Sequence, residues 1–183
     1  MQCRDPVRGP TIEELEVASD MAEKNILKKG KKVKMLLLTN PNNPLGTVYS
    51  PNVVMSAINW AKSRKMHTIM DEIYALSVQS SSDHRDSYPL SLDQKQSSYD
   101  FISVINLLDN DLGDDVHFVW ALSKDFGASG FRIGILYTQN ELVLRALSNL
   151  NIFSCVSHPM QLIMADFLVD DVYCFEDHPW SHR

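Results

Sequence analysis

The chain has 183 residues, 44% of them hydrophobic and 22% charged, with 17 basic against 23 acidic side chains and a formal net charge of −6. That composition predicts a soluble globular protein and excludes disordered, collagenous and fibrous classes. The acidic balance argues against nucleic acid or an anionic membrane as partner, because phosphate binding needs clustered Lys and Arg.

A chain of this size buries about 70% of the surface it exposes when unfolded, so a core needs no metal or disulfide staple, and one domain is expected. Cys3, Cys155 and Cys174 are far apart and odd in number, which reads as reduced thiols of an intracellular protein. Residues 1–30 hold no apolar signal core, and no run reaches the ~20 apolar residues that span a bilayer, so a cytoplasmic location is expected.

In chain order, Thr11 and Glu14 form a capping box, and Ile12, Leu15, Ala18, Met21 and Ala22 follow at helical spacing. This predicts a helix over residues 12–28. Residues 33–38 are a short apolar run that suits a buried strand. The stretch Asn40-Pro41-Asn42-Asn43-Pro44-Leu45-Gly46 must be a loop. Ser50-Pro51 starts a second helix, with Val54, Ile58 and Ala61 as its apolar face. Residues 66–70 form a second buried strand that ends at Asp71-Glu72-Ile73-Tyr74.

From residue 79 the sequence turns polar and serine-rich, which reads as an exposed insertion. Residues 116–121 predict a third strand and 133–137 a fourth. Helices follow from Asn140 and over 161–169. The order helix, strand, loop, helix, strand is the parallel βαβ pattern, in which ligand sites lie beyond the carboxyl ends of the strands.

Three loops leave those strand ends with different polar groups: Asn43 after the first, Asp71 and Tyr74 after the second, Lys124 and Arg132 around the third. Pyridoxal 5′-phosphate (PLP) needs such a set: an amine for its aldehyde, an anion for its pyridinium nitrogen and cations for its phosphate. Taken singly, each block has a plainer reading: a turn, a solvated strand end, and a surface pair of Lys124 with Asp125.

Together, the loop 40–46, the block 71–74 and Ser123-Lys124-Asp125-Phe126-Gly127-Ala128-Ser129-Gly130-Phe131-Arg132-Ile133-Gly134 resemble the fold-type I PLP enzymes. Within them the match is to the class I/II aminotransferases and to their animal branch, the 1-aminocyclopropane-1-carboxylate synthase-like proteins. The resemblance spans about residues 11–150. It implies that residues 1–183 are part of an α/β large domain, a mostly parallel sheet with flanking helices and a polar insertion near 79–115. It also implies a homodimer for the full-length family.

By the same resemblance Lys124 forms the Schiff base with PLP and moves protons at the substrate Cα, which requires a site that disfavours the lysine's charge. Asp71 holds the pyridinium nitrogen protonated. Tyr74 and Asn43 donate to the phenolic oxygen of the ring, and Arg132 pairs with the phosphate in a fork geometry that lysine cannot supply.

Three departures from the family pattern stand out. Ala121 occupies the position where many members have a phosphate-binding serine, and Ser123 takes over part of that role. The segment between Asp71 and Lys124 is long and polar. Members are also considerably longer, so the phosphate loop, the ring that stacks on PLP and the arginine that grips the substrate carboxylate are expected outside this stretch.

Two other patterns carry less. Cys174, His178 and His182 are spaced like metal ligands, but Pro179 breaks the helix that would align them. Residues 109–115 resemble a calcium loop, yet Trp120 stands where the bidentate glutamate belongs. Two functions therefore follow from the sequence: a PLP-dependent domain acting on an amino acid by transamination or elimination, and a non-catalytic fragment that keeps the α/β core.

Overall fold

A computed structural model describes residues 8–25, 31–78, 101–151 and 155–169. These residues form two compact units, the first ending at Arg145 and the second starting at Ala146. The first holds α1 (Ile12–Asn25), β1 (Met35–Thr39), α2 (Pro51–Ser63), β2 (His67–Asp71), α3 (Val104–Leu107), β3 (Val116–Ala121), α4 (Leu122–Asp125), β4 (Gly134–Tyr137) and the start of α5 (Glu141–Asn151). The second holds the rest of α5 and α6 (His158–Val169).

The helix starts follow the caps written in the sequence. Glu14 N donates to Thr11 Oγ1 at 3.3 Å and Thr11 N to Glu14 Oε2 at 2.9 Å, a reciprocal capping box. Ser50 caps α2 by accepting from Val53 N at 3.4 Å, with Pro51 at the first helical position. Asn140 does the same for α5, its Oδ1 accepting from Leu142 N and Val143 N at 2.9 and 3.0 Å.

The sheet has the order β1-β2-β3-β4. β1, β2 and β3 are parallel, with Thr39 beside Asp71 and Asp71 beside Val119, whereas β4 runs antiparallel to β3 and places Gly134 beside Ala121. Leu38 and Met70, alternating with residues of the other face, join Val54, Ala57, Ile58, Ala61 and Val116 in the core between sheet and α2. α1 is tied to α2 by Glu16, which accepts from Trp60 Nε1 at 2.7 Å and pairs with Arg64. Burying this many apolar groups, each worth roughly 1.5–3 kcal/mol, is the main favourable term for the unit.

Two expectations need correction. β1 is not buried throughout: Met35 and Leu37 are 52% and 61% exposed while Leu38 is 7% exposed. An unbroken apolar run suggested cover on both faces, but alternate side chains point to opposite faces, and among the described residues only the Leu38 face is packed. Of the insertion expected at 79–115, residues 79–100 lie outside the described residues. Over 101–115, α3 is capped by Ser103 and Val104 and Leu112 are buried at 1% and 4% exposure, while Ile102 and residues 109–111, 113 and 114 are exposed. The Cys174, His178 and His182 pattern also lies outside the described residues, and among those described no cluster of three metal-ligating side chains occurs.

On the sheet face away from Met70, His67 Nδ1 lies 2.9 Å from His117 Nε2, and His117 Nδ1 lies 2.7 Å from Thr138 Oγ1. The imidazoles stack with centroids 5.1 Å apart. His117 is buried, and burial, with the neighbouring His67 adding to it and Asp115 opposing it, holds its pKa below the ordinary imidazole value. No described helix is long and apolar enough to cross a membrane.

Candidate functional site

Because β1, β2 and β3 are parallel, their carboxyl ends share one edge, and because β4 is antiparallel its first residue starts there too. Each loop on that edge is held by its own backbone and side-chain bonds. After β1, Asn40 is 1% exposed; its N–H donates to Asp71 O at 3.0 Å and its Oδ1 accepts from Tyr49 N at 2.8 Å. Asn42 Nδ2 donates to Tyr49 Oη at 2.7 Å, and Gly46, at φ +65°, returns its N–H to Asn42 O at 2.8 Å. The Asn40-Pro41 and Asn43-Pro44 bonds are cis. This framework leaves Asn43 exposed at the edge, where its Nδ2 donates to Tyr74 Oη at 3.0 Å.

Asp71 is the last residue of β2. Its Oδ1 accepts from Ile73 N at 3.2 Å and its Oδ2 from Thr39 Oγ1 at 3.5 Å. The next residue, Glu72, is turned inward and 1% exposed. Its N–H donates to Val119 O at 3.0 Å, and its Oε1 accepts from Val104 N at 2.6 Å, joining the end of β2 to β3 and α3. Glu72 Oε2 has no hydrogen-bond partner among the described residues. Burial raises the Glu72 pKa above the ordinary carboxylate value, opposed by the bond from Val104 N.

β3 passes directly into α4, which carries Ser123 and the exposed Lys124. Gly127, at φ +61°, ends that turn and donates to Lys124 O at 3.2 Å. The Lys124–Asp125 surface pair suggested by adjacency is absent among the described residues. Asp125 instead accepts from Trp120 Nε1 at 2.8 Å, Ser77 Oγ at 2.7 Å and Leu76 N at 3.1 Å. Arg132 sits in the left-handed region at φ 58°, ψ 38°, exposed, with Nη1 donating to Ser129 O at 2.9 Å. A non-glycine residue there costs on the order of 1–3 kcal/mol, which the surrounding turn must hold.

Asn43, Asp71, Tyr74, Ser123, Lys124 and Arg132 thus come from three loops at the same end of the sheet. Among them only Asn43 and Tyr74 are bonded directly within the described residues. Sequence reasoning missed Asn40, Glu72 and Asp125. Glu72 and Asp125 are neighbours of residues it did single out and Asn40 lies three positions before Asn43, but the partners of Glu72 and Asp125 are 32 and 49 positions away in the chain. An amine, a carboxylate, a phenol, a primary amide and a guanidinium can together hold an anionic, hydrogen-bonding ring and move protons beside it.

The sequence model of aminotransferase classes I and II matches residues 6–173. This chain belongs to that family. Within the class I and II aminotransferases it is 36% identical over 173 residues to mouse 1-aminocyclopropane-1-carboxylate synthase-like protein 1, covering 92% of this chain and 30% of that protein. It is 37% identical over 168 residues to the human "probable inactive 1-aminocyclopropane-1-carboxylate synthase-like protein 2", covering 89% of this chain and 26% of the relative. Against the PLP-bound putative aminotransferase of Clostridium difficile 630 the TM-score is 0.56 at 17% identity, over 79% of this chain and 30% of that one. This aminotransferase-family chain therefore spans between 24% and 40% of the length of the curated relatives it matches. Its mostly parallel sheet with flanking helices is the fold expected from the sequence.

Proposed function

We propose that the carboxyl edge of β1, β2 and β3 binds PLP and that the whole protein acts there on an amino acid. The donor set fits the group. Lys124 would supply the amine for the cofactor aldehyde and would hold and move a proton at the substrate Cα. Asp71, already accepting from two donors, offers its carboxylate to the ring nitrogen and keeps that nitrogen protonated. Asn43 and Tyr74 orient each other and donate to the ring's phenolic oxygen. Arg132 pairs with the phosphate, and Ser123 adds a hydroxyl where Ala121 offers none. When bound, the cofactor supplies an electron sink for charge at the substrate Cα.

The observation that carries this reading is the Asn43–Tyr74 bond beside Asp71, on the edge from which the Lys124 turn emerges. The same reading extends to a cytoplasmic homodimer acting by transamination or by elimination. A second reading has its own support in Ala121 and in the relative described as probably inactive: a domain that holds PLP but turns nothing over.

The test adds PLP to the full chain and to Lys124→Ala, records visible absorbance, reduces with borohydride and maps the label by mass spectrometry. Wild type should show the band of lysine-bound cofactor and carry the label on Lys124, and the variant should lose both. A band that persists in the variant, with the label on another lysine, removes Lys124 from its role. A labelled wild type that transforms no amino acid favours the second reading.

A further inference from the structure

The Asp125 carboxylate gathers three donors, two from a turn after β2 and one from β3. Leu76 and Ser77 belong to the short 3-10 turn Ala75–Ser77, which begins immediately after Tyr74; Trp120 belongs to β3, four residues before Lys124. Asp125 itself is the last residue of α4, next to Lys124. Its two oxygens divide the work: Oδ1 takes the Ser77 hydroxyl at 2.7 Å, and Oδ2 takes Leu76 N at 3.1 Å and Trp120 Nε1 at 2.8 Å. Phe126 packs edge-on to the Trp120 ring, with centroids 6.1 Å apart, which limits the indole to the orientation that reaches the carboxylate.

The far end of the 75–77 turn is secured independently. Ala75 N donates to Glu72 O at 2.9 Å and Ser77 N to Tyr74 O at 3.0 Å, so the turn and Tyr74 move together. Hydrogen bonds to an ionised carboxylate are shorter and roughly twice as strong as neutral ones, and three of them hold a loop far better than one.

We propose that Asp125 is a positioning residue: it latches the Tyr74 turn to the Lys124 turn and so sets the spacing between the two halves of the site. The proposal rests on the PLP reading above. Asp125 touches neither ring nor substrate in it, acting through Tyr74 on one side and Lys124 on the other. A one-ångström error in such a spacing is enough to lower binding or reaction severely.

The experiment uses the full chain with Asp125→Asn, Asp125→Ala and the milder Ser77→Ala, which removes one latch bond at the exposed side. Three quantities are read: the hydrogen-exchange rate of the Leu76 amide without cofactor, the urea unfolding midpoint, and the Kd and visible spectrum of PLP. Ser77→Ala and Asp125→Asn should speed Leu76 exchange and raise the PLP Kd about tenfold, while the unfolding midpoint of Ser77→Ala falls no further than the loss of one exposed hydrogen bond explains. Faster exchange or lower midpoints with an unchanged PLP Kd and spectrum would make Asp125 merely structural and overturn the proposal. If wild type takes up no PLP, the cofactor reading fails by itself and the positioning role falls with it, whereas unchanged Leu76 exchange in both Ser77→Ala and Asp125→Asn would overturn the contact between the two turns as well.

Discussion

Glu72 stands between Asp71 and Tyr74 with its side chain in the core, which makes it a sensitive test of how the edge of the sheet is anchored. Replacing it with alanine leaves Val104 N without the acceptor it now meets at 2.6 Å. An unpaired buried N–H costs about 1–3 kcal/mol, and the lost side-chain volume adds to this. The opposing gain comes from Oε2, a buried carboxylate oxygen with no partner among the described residues. Because burial raises the Glu72 pKa above 4.5, the folded state holds this proton more tightly than the unfolded one. The contribution is therefore complete below the ordinary carboxylate range and is lost as pH rises through the folded-state value. Each tenfold difference in proton affinity is worth about 1.4 kcal/mol.

Urea unfolding between pH 4 and pH 8 of wild type, Glu72→Gln and Glu72→Ala separates the two effects. Glu72→Gln keeps an acceptor for Val104 and removes the titration, so wild type should lose stability relative to it as pH rises. Glu72→Ala should be less stable than wild type by about 1–3 kcal/mol at the acid end, with a smaller gap near neutrality. Wild-type and Glu72→Gln curves that run parallel over the whole range would refute the argument that burial governs this carboxyl group.

The His117 imidazole should have the opposite pH signature. Its pKa is lowered, so its stabilising contribution is complete above the ordinary imidazole value of 6.5 and is lost as pH falls through the folded-state value. His117→Gln should flatten that decline, which unfolding at pH 7.5 and pH 5 would reveal. Met70 is 0% exposed in the second strand of the four-stranded sheet. Met70→Ala should lower the unfolding free energy by about 2–5 kcal/mol and Met70→Leu by less than about 1.5 kcal/mol, as read by urea denaturation.

The local elements were legible from residues alone because their signals are local. The Thr11–Glu14 box, the Ser50-Pro51 start and the Asn140 cap all recur as bonds in the structure. The parallel pairing of β1, β2 and β3, which brings their carboxyl ends to one edge, was expected from the βαβ pattern, whereas the sheet order and the antiparallel β4 came from the structure. The misplaced features share a cause. β1 reads as an apolar run whether one face or two is covered, and among the described residues only the Leu38 face is packed, which leaves Leu37 61% exposed. The apolar run 101–108 lies inside the stretch assigned to the insertion, yet Val104 is 1% exposed and donates its N–H to Glu72, 32 positions away in the chain.

Chain chemistry by itself determined which groups this protein brings to the carboxyl ends of its strands, since caps, turns and apolar periods act over a few residues. Tertiary structure alone decided which of them touch. The antiparallel β4 starts beside the end of β3 and so keeps Arg132 near the Lys124 turn. Asp125 turns from its neighbour Lys124 to donors on another loop, because hydrogen bonds are satisfied by what lies close in space, whatever the separation along the chain.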